Sequence, residues 1–507
     1  MNLTAKLLAA AWRENLAGLR DGPAPLPFTA REGPFNQLTV TAPPDLEPAS
    51  ALEAILGEPA PAHLTAELAS AAAGHAIAAA RGERRRRHFA ALAGRVGAAS
   101  LAALLAGCDT NADTTARLLE TLATDGHQLH PCARTRLGWN ETDFARFDVE
   151  TPRPVQVRLL ADTTGLLARS GTDFRDHAML TGLDLPDPVL PVHPWQLEHR
   201  VLPRHRALFD TGRLRLLETT VPAWPTAAVR TVCGRTGPGH LKLALGVHIT
   251  STRRDISPAT ARLAPVLTGA VARLTDPGHT IAADQAGAWL PGSRDLTAIA
   301  RAPLSEAAPP GTVVVPASAL CTTSPVTGLA LAAEYADWSG SPENWIRSYA
   351  ALVVPPVLRL ASYAGVGLET HLQNSLIAFD GPDPVHLITR DLGGVRMHPP
   401  DLPFAIDLPA DSPVRAPARA DVIAKVAYTL FQNQLAAIVE ALARDCGLDT
   451  DRFWADLADL VASLDLPPGD RDAYLAERMP TKALLTMRLH PGTEVETWVD
   501  NPMHRRR

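Results

Sequence analysis

Residues 368–396 read LETHLQNSLIAFDGPDPVHLITRDLGGVR. Two short apolar runs flank a turn of Gly381, Pro382, Asp383 and Pro384, which predicts a β-hairpin. Read as extended strands, alternate residues share a face. Glu369, His371 and Gln373 then point one way and Leu368, Thr370 and Leu372 the other. On the return strand Val385, Leu387, Thr389 and Asp391 share a face. Closing the hairpin carries Asp391 back beside the Glu369–Asn374 end. Two carboxylates and an amide that converge make a site for Mg²⁺, which takes a few hard oxygen ligands and completes its shell with phosphate and water. The simpler reading is polar residues on the wet face of a hairpin, but wet faces rarely concentrate Glu, His, Gln, Asn and Asp in this way.

A second stretch, residues 227–254, reads AAVRTVCGRTGPGHLKLALGVHITSTRR. It predicts strand, glycine-rich turn, strand. Leu241, Leu243, Leu245, Val247 and Ile249 form an apolar face; Lys242, Ala244, Gly246, His248 and Thr250 form the other. Arg230 precedes and Arg253 and Arg254 follow, so the surface suits a polyanion, with Lys for phosphate and Arg for a carboxylate. No GxxxxGK[ST] occurs, which excludes a P-loop. In residues 125–139, DGHQLHPCARTRLGW, the spacing of His127 and His130 is poor for a metal, and Arg134 and Arg136 are positioned to guide an anion. VHPWQLEH, residues 192–199, marks an ordered loop around Trp195.

The bulk numbers set the frame. At 507 residues the chain needs two or three domains. Its apolar content of 46% and charged content of 20% mark a cored globular protein. A net charge of −6 gives no reason to expect nucleic acid. Five scattered cysteines without a CxxC suggest neither a disulfide framework nor a thiolate zinc site. The N-terminal apolar patch is too short for a signal peptide, and no uninterrupted apolar stretch suits a membrane span, so a cytoplasmic protein without a membrane partner is expected. Of 48 basic residues only four are lysines, Lys6, Lys242, Lys425 and Lys482. In so Arg-rich a chain, each surviving Lys invites a reason.

Apolar spacing predicts helices through the first 120 or so residues, with the run Arg84–Arg87 on a solvated helix face. Short β-type runs dominate from about 150 to 300, and a Pro-rich stretch at 302–316 marks a boundary. The expected division is a helical region, 1–150; a sheet-bearing region with the second hairpin, 151–315; and a region with the first hairpin and C-terminal helices, 316–507. The fold class is α+β.

Together these stretches resemble the IucA/IucC family of siderophore synthetases, which work without a nonribosomal peptide synthetase. The motifs run from about residue 125 to 490. GHQLHPCARTRLGW is similar to the family's GHPxHPxxKxRxGF, and HPWQ at 193–196 matches outright. RTV at 230–232 followed by LKLALGVHITSTRR, ETHLQN at 369–374, RDLGG at 390–394 and PTKALLTMRL at 480–489 complete the set. The resemblance implies an ATP-dependent, AMP-forming ligase that adenylates a carboxylate and passes it to an amine or hydroxyl. It implies a cupped hand of thumb, fingers and palm, with an antiparallel sheet in the fingers and a kinase-like hairpin in the palm, and a homodimer. By its motifs Lys242, Thr231, Gln373, Asn374 and Asp391 would hold ATP. Glu369 and Asp391 would hold Mg²⁺. Arg230, Thr250, Arg254 and His371 would hold the acid, and Lys482 would join the acyl or nucleophile pocket. His371 is either the base for the attacking amine or a hydrogen-bonding ligand of the substrate. Ala227 and Ala228 stand where the family often has Ser or Thr, Arg134 replaces a Lys and Gln128 a Pro. The acid pocket is therefore expected to take something smaller or less polar than citrate.

A phosphotransferase of kinase-like fold is the alternative, because Asn374 and Asp391-Leu392-Gly393 echo the order of kinase metal ligands. Such an enzyme needs an Asp base shortly before the Asn, and Thr370–Gln373 has none. A non-catalytic nucleotide-binding protein is disfavoured by the full set of polar residues.

Overall fold

The computed structural model describes residues 2–108, 111–235, 237–250, 252–409 and 412–504. Helices and sheets are mixed. An eight-stranded antiparallel sheet runs in the order Ala168–Gly171, Asp284–Trp289, Thr297–Arg301, His240–Leu243, Thr231–Gly234, Leu214–Pro225, Val155–Asp162, Val189–Val192. A four-stranded sheet has the order His279–Ile281, Asp383–Thr389, Ser375–Asp380, Val313–Pro316. Its first pair is parallel and the others antiparallel. The N-terminal part is carried by the 35-residue helix Ala62–Val96, and it also holds the ribbon Thr29–Glu32 with Leu38–Ala42. Arg84 and Arg87 on that long helix are exposed.

The largest core cluster lies between the four-stranded sheet and the helices Leu331–Ser339, Pro342–Ala364, Arg419–Cys446 and Thr450–Ser463. Trp345, Tyr349, Phe379 and Phe431 are each at most 2% exposed there; side chains of this size stabilise a fold by roughly 1.5–3 kcal/mol each on burial. Arg419–Cys446 is long and apolar enough to cross a membrane by length and composition, yet 78% of its most apolar window is buried inside the protein. It is the central helix of this core. Its middle, Ala427–Leu435, is wound as a π-helix, which turns Gln432, Asn433 and Gln434 all inward. Such bulges often sit at functional sites.

Both hairpins form, with two departures from the strand reading. Residues 368–374 are not a strand: pairing begins at Ser375, opposite Thr389, and the preceding segment is a loop that ends in a tight turn. Nor do residues 241–250 form one strand. Pairing breaks at Ala244, whose N–H goes to the Thr297 carbonyl at 3.0 Å, and a new strand, Leu245–Ile249, turns back into Thr252–Arg254. The two-face alternation expected across Lys242 to Thr250 is interrupted there.

Candidate active site

Lys242 sits in its strand opposite Thr231 on one side and Ile299 on the other, so these three share a face. Its side chain is 4% exposed, and Nζ donates to Asp391 Oδ1 at 2.6 Å. Asp391 follows the first hairpin in a left-handed conformation, φ 67°, and also accepts the Gly393 N–H at 3.2 Å. One ion pair thus joins the two hairpins. Beside it a small cavity of about 20 Å³, room for about one water, is lined by Leu263, Leu267, Asp284, Ile299 and Leu392.

The loop 368–374 reaches the same place by its turn. The His371 carbonyl accepts the N–H groups of Asn374 at 3.0 Å and Ser375 at 3.2 Å. His371 Nδ1 accepts the Gln373 N–H at 3.2 Å. A ring nitrogen that accepts a backbone N–H carries no proton, so the proton of His371 is on Nε2. Nε2 lies 3.9 Å from Glu369 Oε2. Glu369 Oε1 is met by Lys425 Nζ at 2.6 Å. Gly394 makes this possible: a Cβ there would lie 2.0 Å from Glu369 Oε2. Asn374 is buried and Gln373 half-buried beside them.

Arg254 Nη2 donates to Thr250 Oγ1 at 2.8 Å, and Arg230 Nη1 donates to the carbonyls of Arg254 at 3.1 Å and Asp255 at 2.9 Å. Lys482 ends the strand Arg478–Lys482; burial lowers its pKa, with Lys425 the nearest cation acting the same way and Glu494 and Glu369 opposing.

Charge in this cleft is fixed rather than titrating. Burial opposes ionisation of Glu369, but Lys425 and His371 outweigh it and hold the carboxyl down at about 2. Burial likewise opposes ionisation of Asp391, and Lys242, Arg301 and Arg230 push it far below the usual carboxylate range. Burial, with Arg230 alongside, lowers Arg254 to about 9. Burial also lowers His371, Glu369 partly opposing, so the neutral ring prevails at pH 7. Among the described residues no group of three or more His, Cys, Asp or Glu is arranged around a metal position.

The profile of the IucA / IucC family matches residues 115–322, and that of the ferric iron reductase FhuF-like transporter matches residues 343–496. Over residues 115–322 the chain carries the IucA/IucC family pattern. Staphyloferrin A synthase of Staphylococcus aureus is 25% identical over 424 residues, 76% of this chain and 72% of its own length. D-ornithine–citrate ligase of the same organism is 22% identical over 462 residues, 76% and 70% of the two chains. The fold is shared with the petrobactin biosynthesis protein AsbB of Bacillus anthracis: TM-score 0.78, 16% identity, 99% of this chain and 95% of that one. It is shared also with ATP-bound aerobactin synthetase IucA of Klebsiella pneumoniae: TM-score 0.74, 18% identity, the whole of both chains.

Two arginines within this IucA/IucC-like stretch have other work. Arg134 is 2.7 Å from Glu150 and Arg136 is 3.2 Å from Asp148, and all four side chains are buried. Their charge is spent internally, so neither guides an incoming anion. His127 and His130 each accept a backbone N–H on Nδ1, and burial lowers both, His127 to about 3. HPWQ braces the Lys242 region from behind: Gln196 Oε1 takes the Gly246 N–H at 2.7 Å while its amide donates to the Asp295 carbonyl at 3.1 Å.

Sequence reasoning missed Lys425, although the scarcity of lysine had flagged it. All four lysines belong to the cleft or its frame. Lys6, on the helix Leu3–Arg13, donates to the carbonyls of Asp125 at 2.5 Å and His127 at 3.1 Å. Missed too were Arg13 and Glu14. Arg13 donates to Gln432 at 2.6 Å and Thr481 at 2.9 Å. Glu14 takes the N–H groups of Leu485 and Thr486, both at 2.7 Å, just past Lys482.

Proposed function

We propose that this chain is an ATP-dependent ligase that adenylates a small organic acid and condenses it with an amine or hydroxyl in siderophore biosynthesis, releasing AMP and pyrophosphate. The observation that carries the reading is the 2.6 Å pair between Lys242 and Asp391, 149 residues apart, with the Glu369–Lys425 pair and the Arg230–Thr250–Arg254 group around the same cleft. The relatives named for staphyloferrin A synthesis and for joining ornithine to citrate support a carboxylate–amine ligase. The ATP-bound IucA neighbour supports ATP.

In this reading Lys242, Thr231, Gln373 and Asn374 hold the nucleotide. Fixed cations stabilise the charge that develops on the α-phosphate and departing pyrophosphate. Mg²⁺ fits the donor set, because Glu369 and Asp391 stay ionised at neutral pH and Mg²⁺ needs few protein oxygens. These two carboxylates would hold it, and it would supply neutralisation of triphosphate charge. Among the described residues no carboxylate pairs with the Arg254 guanidinium, so it takes the acid, with Thr250 fixing its fork and Arg230 holding its backbone carbonyl. With Nδ1 occupied, His371 offers Nε2–H to the acid's oxygen and orients it; the base role would need that bond to break. Lys482 lines the side from which the nucleophile enters. The cupped-hand arrangement of the family and its homodimer are part of the same proposal.

The test is a pyrophosphate-release screen over citrate, 2-oxoglutarate, succinyl monoamides and simple amino acids, each with a panel of amines, with the nucleotide product identified by chromatography. AMP with pyrophosphate is expected. ADP would instead establish the phosphotransferase, and absence of either product with every acid would overturn the reading.

A further inference from the structure

Glu120 ends the helix Ala112–Glu120 and is 1% exposed. No motif contains it, and its partners are neither the cleft's lysines nor Arg254. Its carboxylate lies between the two hairpins. Oε2 takes the backbone N–H of Ala227 at 2.6 Å, and Oε1 takes the guanidinium of Arg390. The same guanidinium donates to the Gln373 carbonyl twice, at 3.1 Å from Nε and 2.8 Å from Nη2. The Arg390 N–H donates to the Asn374 carbonyl at 2.9 Å. Arg390 therefore spends its fork on the protein itself.

What hangs on each end of this strap is the site. Ala227 opens the loop that carries Val229 at φ 64° and delivers Arg230 and Thr231. A β-branched residue holds the left-handed region only where its surroundings impose it. At the other end Arg390 directly precedes Asp391, itself left-handed, and clamps the turn bearing His371, Gln373 and Asn374. Two strained segments, each carrying a residue for the acid and a residue for the nucleotide, are thus referred to a single buried carboxylate.

We propose that Glu120 is a positioning residue: through Arg390 it sets the loop of Arg230 and Thr231 against the turn of His371, Gln373 and Asn374, so that the acid's oxygen and the α-phosphate meet in line. The proposal rests on the adenylating-ligase reading above. Glu120 touches neither substrate, so its loss leaves each substrate's own contacts in place and spoils their mutual geometry. The consequence falls on turnover rather than on either affinity.

Glu120→Gln keeps the shape and removes the charge that holds Arg390. With the acid found by the wild-type screen, kcat for pyrophosphate release should fall on the order of 100-fold, the cost of roughly an ångström of misalignment. The KM values for acid and ATP should each stay within about threefold. Glu120→Asp keeps the charge but spans only one of its two partners, and its kcat should fall between wild type and Gln; it carries the same readout if the Gln variant does not fold. A purely structural residue would lower the melting temperature and leave kcat per folded enzyme unchanged, and that result would overturn the proposal. So would a loss confined to one KM. Failure of the wild type to release pyrophosphate with any acid would overturn the ligase reading and the proposal with it; an active wild type with an unimpaired variant would overturn the proposal alone.

Discussion

Replacing Lys425 with Met removes the cation that meets Glu369 at 2.6 Å and leaves the stem in place. The carboxyl of Glu369 sits at about 2 against an ordinary value of 4.5. A depression of about 2.5 units is worth about 3 kcal/mol at 1.36 kcal/mol per unit. Burial works the other way, so the groups that outweigh it together supply more than this net, and Lys425, first among them, carries at least on the order of 2 kcal/mol. Glu369 is 27% exposed and Lys425 only 8%, which leaves little screening to discount. The sign follows from the direction of the shift. A carboxyl whose folded pKa is depressed contributes fully above its unfolded value of 4.5 and loses the contribution as pH falls toward about 2. Urea unfolding of wild type and Lys425→Met, followed by tryptophan fluorescence and far-UV circular dichroism, should show a gap of about 2 kcal/mol near neutral pH that narrows near about pH 3.5. Adding Glu369→Gln should recover part of the loss, because the buried charge goes with its partner. A gap that is the same at both pH values, or one below about 0.5 kcal/mol at neutrality, would refute the coupling.

Further tests bear on the other elements of the cleft. Gly394→Ala drives a methyl to 2.0 Å from Glu369 Oε2, so pyrophosphate release should drop by about 100-fold with the circular dichroism spectrum unchanged. Arg254→Gln should raise the KM of the acid by about 10- to 100-fold and leave that of ATP nearly alone, since a charged hydrogen bond is worth about 1.5–3 kcal/mol. An unchanged acid KM would remove Arg254 from the acid site. The pH–rate profile should hold level through neutrality and fall only below the ordinary histidine range, because burial lowers His371 and protonation must then displace the Gln373 N–H from Nδ1. An acid limb centred at or above 6.5 would contradict that environment.

Both hairpins were legible because apolar alternation and turn residues are local signals. The convergence of Glu369 and Asp391 on one cleft was also foreseeable, since any hairpin returns its ends together. The route was not. ETHLQN packs polar residues side by side without alternation, and that is the mark of a turn rather than of a strand: His371 folds its own ring nitrogen and carbonyl over the N–H groups of Gln373, Asn374 and Ser375. The break at Ala244 was hidden by an apolar run that continues straight through it. Arg134 and Arg136 looked free because their acids, Asp148 and Glu150, stand a dozen and more residues on, beyond any local pattern. Glu120 and Lys425 act through partners 270 and 56 residues away, a separation that composition alone does not reveal.

The helix Leu3–Arg13 has a temporal consequence. Its lysine props the loop before His127, and the Arg13-Glu14 pair after it grips the segment around Lys482, more than 460 residues downstream. During synthesis that helix emerges long before the residues it grips, and the wall around Lys482 stays unframed until residues 480–486 have left the ribosome. A nick after the helix Leu3–Arg13 would then loosen that wall from a distance, so the tie between these two segments is built into the folded state.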